Sequence, residues 1–330
     1  MPTVRDVAER AGVSVATVSF VLNGTKPVTP ATRQRVESAV AELGYRRNEL
    51  ARALASRRTR IVALAHPTGE HRFGSSTPDF VTSAGRAARS RGYHLVLWPV
   101  DTDGGELREL LGQGLVDGVV LMEVRMEDPR IGVLRTAGTP FALIGRTADP
   151  AGLVHVDIDF DRSVAIALDH LQKLGHRDIA LVTARSPLPD YGPKVRTRAA
   201  YERLCAERGL TPQLYDCDPT APAGRALVPE LVERATAVVL MNEYATFGVL
   251  TGLAHAGYVV PRDLSVVAFM SPDMGALADP PLTVLHSPGP DLGRLGVEAL
   301  IDQLEGTAPT EPALLPYVFE EGRSTARVRA

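Results

Sequence analysis

The stretch from Thr3 to Asn23, TVRDVAERAGVSVATVSFVLN, constrains this chain more than any other. Thr3 stands where a helix cap is needed, with Asp6 three residues on as the short-armed form of a capping box. Val4, Val7, Ala8 and Ala11 then share one helical face. Gly12 supplies the positive φ that ends this helix, and Ser14 caps the next. In the second helix Val18, Val21 and Leu22 point inward, leaving Val15, Ala16, Thr17, Ser19 and Phe20 outside. Small Ala8, the turn at Gly12 and apolar Val18 let two helices cross closely, which is the helix-turn-helix layout. An ordinary helical hairpin is the bland alternative. Thr29-Pro30 opens a third helix, with Val36, Ala39, Val40 and Leu43 inward and Gly44 as its stop.

Charge divides the chain. The first sixty residues hold eleven Lys and Arg against five acids, net +6, and the remainder holds 25 against 34, net −9. A basic head on an acidic body fits a polyanion-binding module attached to something that binds no polyanion. At 330 residues the chain is long enough for two or three units. Its 45% hydrophobic and 23% charged residues are those of a soluble globular protein. No apolar run reaches the length of a membrane span, and the polar N-terminus is unlike a signal peptide. Two cysteines, Cys205 and Cys217, suggest reduced thiols and a cytoplasmic protein.

From Ile61 onward, apolar runs alternate with helical stretches. The runs at 61–66, 93–98, 118–122, 140–145, 153–158, 178–183, 237–241 and 264–270 read as buried strands. They are rich in Val, Leu and Ile without polar alternation, which suits parallel sheets covered on both faces. Helices such as 79–91, 162–174, 196–207, 245–256 and 293–304 lie between them. This βαβ rhythm predicts doubly wound α/β units.

The chain resembles LacI/GalR-family transcriptional regulators. Its head, V-R-D-V-A-E-R-A-G-V-S-V-A-T-V-S-F-V-L-N-G with E-L-G-Y-R-R-N-E-L-A-R-A-L behind it, is close to that signature throughout. Further matches follow in order: G-H-R-D-I-A-L-V (175–182), V-P-R-D-L-S-V-V-A-F (260–269), P-P-L-T (280–283), L-G-R-L-G-V-E-A-L (292–300) and R-S-T (323–325). The resemblance therefore runs essentially end to end. It implies an N-terminal all-α helix-turn-helix domain plus an α/β periplasmic-binding-protein-like core of two doubly wound Rossmann-like subdomains. The expected division is a DNA-binding domain over 1–46, a hinge over 47–60, and an effector-binding and dimerisation domain over 61–330. In the last, one lobe takes about 61–159 and 290–320, the other about 160–289 and 321–330. Crossovers are expected near 158–162, 287–291 and 319–323.

For DNA, the outward residues of the second helix are the candidates. Val15 and Ala16 suit thymine methyls, and Thr17 suits a base edge or a phosphate. Thr3, Ser14, Ser19, Asn23 and Thr29 suit phosphates. Phe20 stands where the family usually has Arg; it either packs on a thymine methyl or rests on the protein surface. In the hinge the residues alone suit a frayed linker whose Leu54 touches its own domain, whereas the resemblance implies that Leu54 is an apolar wedge in the minor groove, with Arg52 also at the DNA. The partners expected are a palindromic double-stranded operator, a second copy of the chain in a homodimer, and a small-molecule effector, with no membrane. No heptad tail follows R-S-T to pair dimers into tetramers.

For the effector, the cleft between lobes is the natural pocket. The resemblance assigns it His71, Arg72, Phe73, Phe80, Trp98, Arg146, Arg196, Arg198, Asn242, Glu243, Met270 and Ser271, with departures. Gly145-Arg146 lacks the acid of I-D-R, and Met270-Ser271 replaces the frequent Asp-Asp. Arg196 and Arg198 each miss the expected arginine register before Tyr201 by one residue. One expectation is therefore an anionic ligand neutralised by Arg146 and Arg196. Its rival is a neutral sugar stacked on Trp98, Phe73 and Phe80. The family prior favours a carbohydrate-related ligand.

Catalysis finds no support: there is no GxSxG, Walker A, GxGxxG, HExxH or paired CxxC. Asp157-Ile158-Asp159-Phe160-Asp161 resembles an EF-hand start, but Arg162 replaces its glycine and Leu168 its bidentate Glu. No metal and no cofactor are expected. The reading is a one-component regulator, a repressor; a periplasmic-type solute-binding protein without regulatory role is the alternative.

Overall fold

The computed structural model describes residues 2–23, 26–45, 58–67, 74–186, 188, 190–307 and 312–329. It divides into two units, Met1–Thr59 and Arg60–Ala330, each described by itself.

The first unit holds α1 (Val4–Ala11), α2 (Val15–Asn23) and α3 (Pro30–Leu43). The capping box forms: Asp6 N–H donates to Thr3 Oγ1 at 3.4 Å, and Thr3 N–H donates to Asp6 Oδ2 at 2.6 Å. The Thr3 N–H, and after it the Thr3 hydroxyl donating to Asp6 Oδ2 at 2.9 Å, hold the Asp6 carboxyl below its usual pKa. Gly12 adopts φ 62°, so its N–H reaches back to the Ala8 and Glu9 carbonyls and turns the chain into α2. Val7, Ala8, Ala11, Val18, Val21, Val36 and Ala39 form the core, with Val40 and Leu43 packed at its rim.

The second unit carries two six-stranded sheets. The first runs β11-β5-β4-β3-β1-β2 and is parallel throughout. Its strands are β1 (Ile61–Pro67), β2 (His94–Val100), β3 (Gly118–Met122), β4 (Phe141–Ile144), β5 (His155–Ile158) and β11 (Ala313–Leu315). The second runs β12-β10-β9-β8-β6-β7, with β6 (Ile179–Ala184), β7 (Gln213–Cys217), β8 (Ala237–Leu240), β9 (Ser265–Phe269), β10 (Thr283–His286) and antiparallel β12 (Val318–Glu320).

Period-two alternation sends Val62 and Leu64 to one face of β1 and Ala63 and Ala65 to the other. Helices Thr77–Ser90 and Gly289–Glu305 cover the first face; Gly105–Gly112 and Pro129–Ala137 cover the second. The second sheet is sandwiched likewise, by Phe160–Lys173 and Gly192–Glu207 on one side and Glu243–His255 with its neighbours on the other. All eight expected strands lie within or overlap observed ones.

The chain passes between lobes after β5, after β10 and between β11 and β12. The third crossing is at residues 316–317, not 319–323, because Val318–Glu320 pairs with β10 of the second lobe. The second lobe's final segment therefore begins near 318.

Candidate functional site: the helix-turn-helix face and the cleft between the lobes

On the first unit the three helix N-termini carry hydroxyl caps. Thr3 caps α1, Thr29 accepts from Thr32 N–H at 3.3 Å to cap α3, and Ser14 Oγ accepts from Thr17 N–H at 3.1 Å. Each N-terminus presents free N–H groups and positive helix-dipole charge, the arrangement that receives phosphate. Val15 and Ala16 are exposed on α2, Val15 by 42%, while Thr17, Ser19 and Phe20 are half-buried. The Phe20 ring lies under the ammonium of Lys26, 4.9 Å from Nζ to the centroid. The Asn23 side chain and the hinge residues Arg52 and Leu54 lie outside the described residues.

Between the lobes of the second unit is a cavity of about 840 Å³ at the carboxyl ends of the parallel strands. Its apolar wall includes Phe80, Ile144, Phe160, Phe269 and Met270. Its polar groups include Glu123, Asp157, Thr183, Tyr191, Asn242 and Glu243. Burial of its phenol, with the Glu123 charge adding to it, pushes Tyr191 well above the usual tyrosine range; burial also pushes Tyr317 up to about 12. Both side chains are therefore neutral donors in this cleft.

Of the sequence candidates, Phe80, Asn242, Glu243 and Met270 line the cavity. Asn242 Oδ1 caps helix Glu243–His255 through Ala245 N–H at 3.1 Å, and its buried Nδ2 has no partner among the described residues. Ser271 caps helix Pro272–Ala276, and its N–H donates to Ser75 Oγ at 3.0 Å. His71, Arg72 and Phe73 lie outside the described residues.

Four candidates are elsewhere. Trp98 packs on the opposite face of the first sheet, among Val100, Leu107 and their neighbours. Arg146 and Arg196 converge on Asp157: Arg146 Nε lies 3.2 Å and Arg196 Nη1 3.4 Å from its Oδ2. Arg196 also donates to the Arg146 carbonyl. Arg198 is 3.1 Å from Asp216, which Lys194 also approaches at 3.0 Å. Helical phase explains the last two: Thr197 takes the inward position with no exposure, so residues 196 and 198 diverge to either side.

Both guanidinium groups thus pair with one buried carboxylate. Burial itself raises Asp157 above the usual carboxylate pKa, against the pull of Arg196 and Arg146. Counting walls and their partners, the carboxylates Glu123, Asp157, Asp216, Asp218 and Glu243 face Arg146, Arg185, Lys194, Arg196 and Arg198, so the charges balance. Glu123, Thr183 and Tyr191 were not singled out in the sequence, and Asp157 only as the start of a rejected EF-hand-like run; Glu123, Asp157 and Thr183 sit at strand ends.

A profile described as "Bacterial regulatory proteins, lacI family" matches residues 3–48, and one described as "Periplasmic binding protein-like domain" matches 168–325. HTH-type transcriptional regulator CelR of Thermobifida fusca is 34% identical over 334 residues, covering 95% of each chain. The chain belongs to the LacI family. The Ribose operon repressor of Escherichia coli K12 is 30% identical over 340 residues, 98% of this chain and 99% of that one. Among solved structures, the CelR–cellobiose complex superposes with TM-score 0.71 at 29% identity, over 98% of this chain and 100% of that one. The lac repressor dimer bound to operator and the anti-inducer ONPF gives 0.83 at 25%, over 98% and 99%. As a LacI-family member the chain is a DNA-binding transcriptional regulator and not an enzyme, and a solute-binding role without regulation is not favoured. Among the described residues no His, Cys, Asp and Glu group suits a metal ion, and no helix is long and apolar enough to cross a membrane.

Proposed function

We propose that this LacI-family regulator is a cytoplasmic repressor that binds a palindromic operator as a homodimer and is controlled by a neutral carbohydrate held between its lobes. The observation that carries the ligand class is the charge balance of the cleft: its cations are paired with carboxylates, and the buried Asn242 Nδ2 has no partner among the described residues, beside a wall that also carries hydroxyl, phenol and carboxylate groups. Apolar walls beside such groups suit the faces of a sugar ring. The relative CelR has been solved with cellobiose, which agrees with that chemistry. Thr3, Ser14, Ser19, Asn23 and Thr29 take phosphates, Val15, Ala16, Thr17 and Phe20 face bases, and residues 47–60, with Arg52 and Leu54, form the hinge. Ligand binding changes the relation of the lobes, and so the population of DNA-competent dimers.

The test is selection of bound fragments from the source organism's genome, followed by titration of the selected complex with D-glucose, D-ribose, cellobiose and maltose. Enrichment of one palindrome, with affinity altered by a neutral sugar, is the expected result. A palindrome whose affinity responds only to anionic metabolites would overturn the ligand class. Absence of any enriched palindrome would overturn the operator reading.

A further inference from the structure

Glu123 follows directly on β3, at the strand end that opens into the cleft, and it lines the cavity. Its backbone has φ 51°, a left-handed conformation that a residue with a Cβ rarely adopts. Only Arg60 and Glu123 do so among the described non-glycine residues. Such a conformation persists where its surroundings enforce it, and here they do. Arg130, with no exposed surface, donates from Nη2 to the Met122 carbonyl at 3.2 Å and the Glu123 carbonyl at 3.0 Å. Arg130 is fixed by Asp128, through Nε at 2.9 Å and Nη2 at 2.7 Å. Asp128 Oδ2 in turn accepts from Arg125 N–H at 3.1 Å, closing the loop on itself.

Two neighbours make room and link the loop outward. Gly145, at φ 110°, lets Val124 come close: a Cβ there would stand 3.1 Å from Val124 Cβ. Beyond Val124 the loop grips the other lobe, where Arg125 Nε donates to Asp190 Oδ1 at 2.8 Å and Met126 N–H to the Asp190 carbonyl at 2.9 Å. A buried ion pair such as Arg130–Asp128 adds little net stability over apolar packing; here it holds the guanidinium that binds the Met122 and Glu123 carbonyls.

We propose that Glu123 is the carboxylate by which the cleft selects its hydroxylated ligand, and that Arg130 is its positioning residue. This rests on the carbohydrate reading above. Arg130 holds the Met122–Glu123 peptide so that the side chain faces the cavity, and the same clamp ties it to the Arg125–Asp190 bridge between lobes. A ligand hydroxyl donating to Glu123 then stabilises the loop conformation that the bridge requires.

The experiment is calorimetry on the full chain with D-glucose, D-ribose, cellobiose and maltose, using wild type, Glu123→Gly, Arg130→Met and the double variant. Glycine accepts the left-handed backbone while removing the side chain. The expected result for Glu123→Gly is affinity for the best-bound sugar reduced about ten- to a hundredfold. Arg130→Met should lose comparable affinity, yet cost nothing further when Glu123 is already glycine, because it acts through that side chain. A merely structural Arg130 would instead weaken both backgrounds equally, which would overturn its assignment. Should Arg130→Met fail to fold, Glu123→Gly decides alone: affinity within twofold of wild type overturns the proposal. If wild type binds none of the four sugars, the carbohydrate reading falls and the proposal with it; binding that ignores Glu123 sinks the proposal only.

Discussion

The Ser75 hydroxyl donates to Glu243 Oε1 at 2.6 Å, joining the two lobes across the mouth of the cleft. Ser75 precedes helix Thr77–Ser90 of the first lobe, while Glu243 opens helix Glu243–His255 of the second. The Ser75 N–H adds bonds of 3.1 and 3.0 Å to the two carboxylate oxygens, and Ser271 N–H donates to the Ser75 hydroxyl at 3.0 Å. One serine thus bridges two helix N-termini of the opposite lobe, and the carboxylate sits where the helix dipole favours it.

Removing that bridge should loosen closure. Ser75→Ala deletes the hydroxyl's two bonds and Glu243→Gln removes the charge; each is expected to reduce the closed form's stability by about 1–3 kcal/mol. Small-angle scattering should show a larger radius of gyration, and amide exchange at 75–77 and 243–246 should quicken. Unchanged scattering and exchange in both variants would mean that other contacts hold the lobes.

How much of this was legible in the sequence depended on whether the signal was local. The head could be read because caps, turn glycine and apolar spacing all lie within a few residues of one another. Parallel strands such as Val62–Ala65 and Val266–Ala268 are apolar on both faces, and that too is local. Strand β7 was missed because Gln213–Cys217 mixes polar and apolar residues at a sheet edge, and β11 and β12 because three residues carry no period. In the cleft, the roles of Arg146 and Arg196 turned on Asp157, a partner supplied by another strand. Glu123 was invisible because a glutamate does not announce a positive φ.

Close helix packing makes a second prediction. A Cβ on Gly248 would stand 2.1 Å from the Ala221 carbonyl oxygen, and one on Gly224 2.1 Å from that of Ala245. Helices Ala221–Ala226 and Glu243–His255 therefore meet backbone to backbone. Gly248→Ala should cost about 1–3 kcal/mol by overpacking. Gly85→Ala, in helix Thr77–Ser90 with open space at its Cβ, should gain about 0.5–1 kcal/mol. Denaturant midpoints of the two variants should move in opposite directions, and equal shifts would refute the close crossing.

Acid should weaken the second lobe. His176 Nε2 donates to the Ala326 carbonyl at 2.9 Å, and His170 Nε2 bonds Thr325 Oγ1 at 2.9 Å, so both hold the C-terminal segment. Burial lowers both imidazoles below the ordinary 6.5; Glu321 pulls His170 back, Lys173 and His176 push it further down, and the Ala326 bond pulls His176 back. A depressed folded-state value means that the neutral forms contribute stability above pH 6.5, which is lost as pH falls through the folded values. Melting temperature should drop between about pH 6.5 and 5, and His176→Gln should flatten that dependence. An equally steep profile in His176→Gln would assign the acid sensitivity to other groups.

The head makes the last prediction. Phe20 lies half-buried beneath Lys26, so the outward face of α2 offers bases only apolar and hydroxyl groups near that point. An apolar ring reads no guanine, whereas an arginine there supplies a bidentate donor pair for O6 and N7. Phe20→Arg should therefore sharpen the selected palindrome to guanine at one position in each half-site, with about 1–3 kcal/mol of discrimination per contact. It should also steepen the salt dependence of affinity, since the variant adds one positive charge per subunit. Lys26→Ala, by contrast, should lower affinity for all sequences alike if its ammonium serves phosphate. Selection and salt titration of the two variants separate base reading from charge: an unchanged consensus in Phe20→Arg would mean that residue 20 stands off the base edges, and that Val15, Ala16 and Thr17 carry the reading without it.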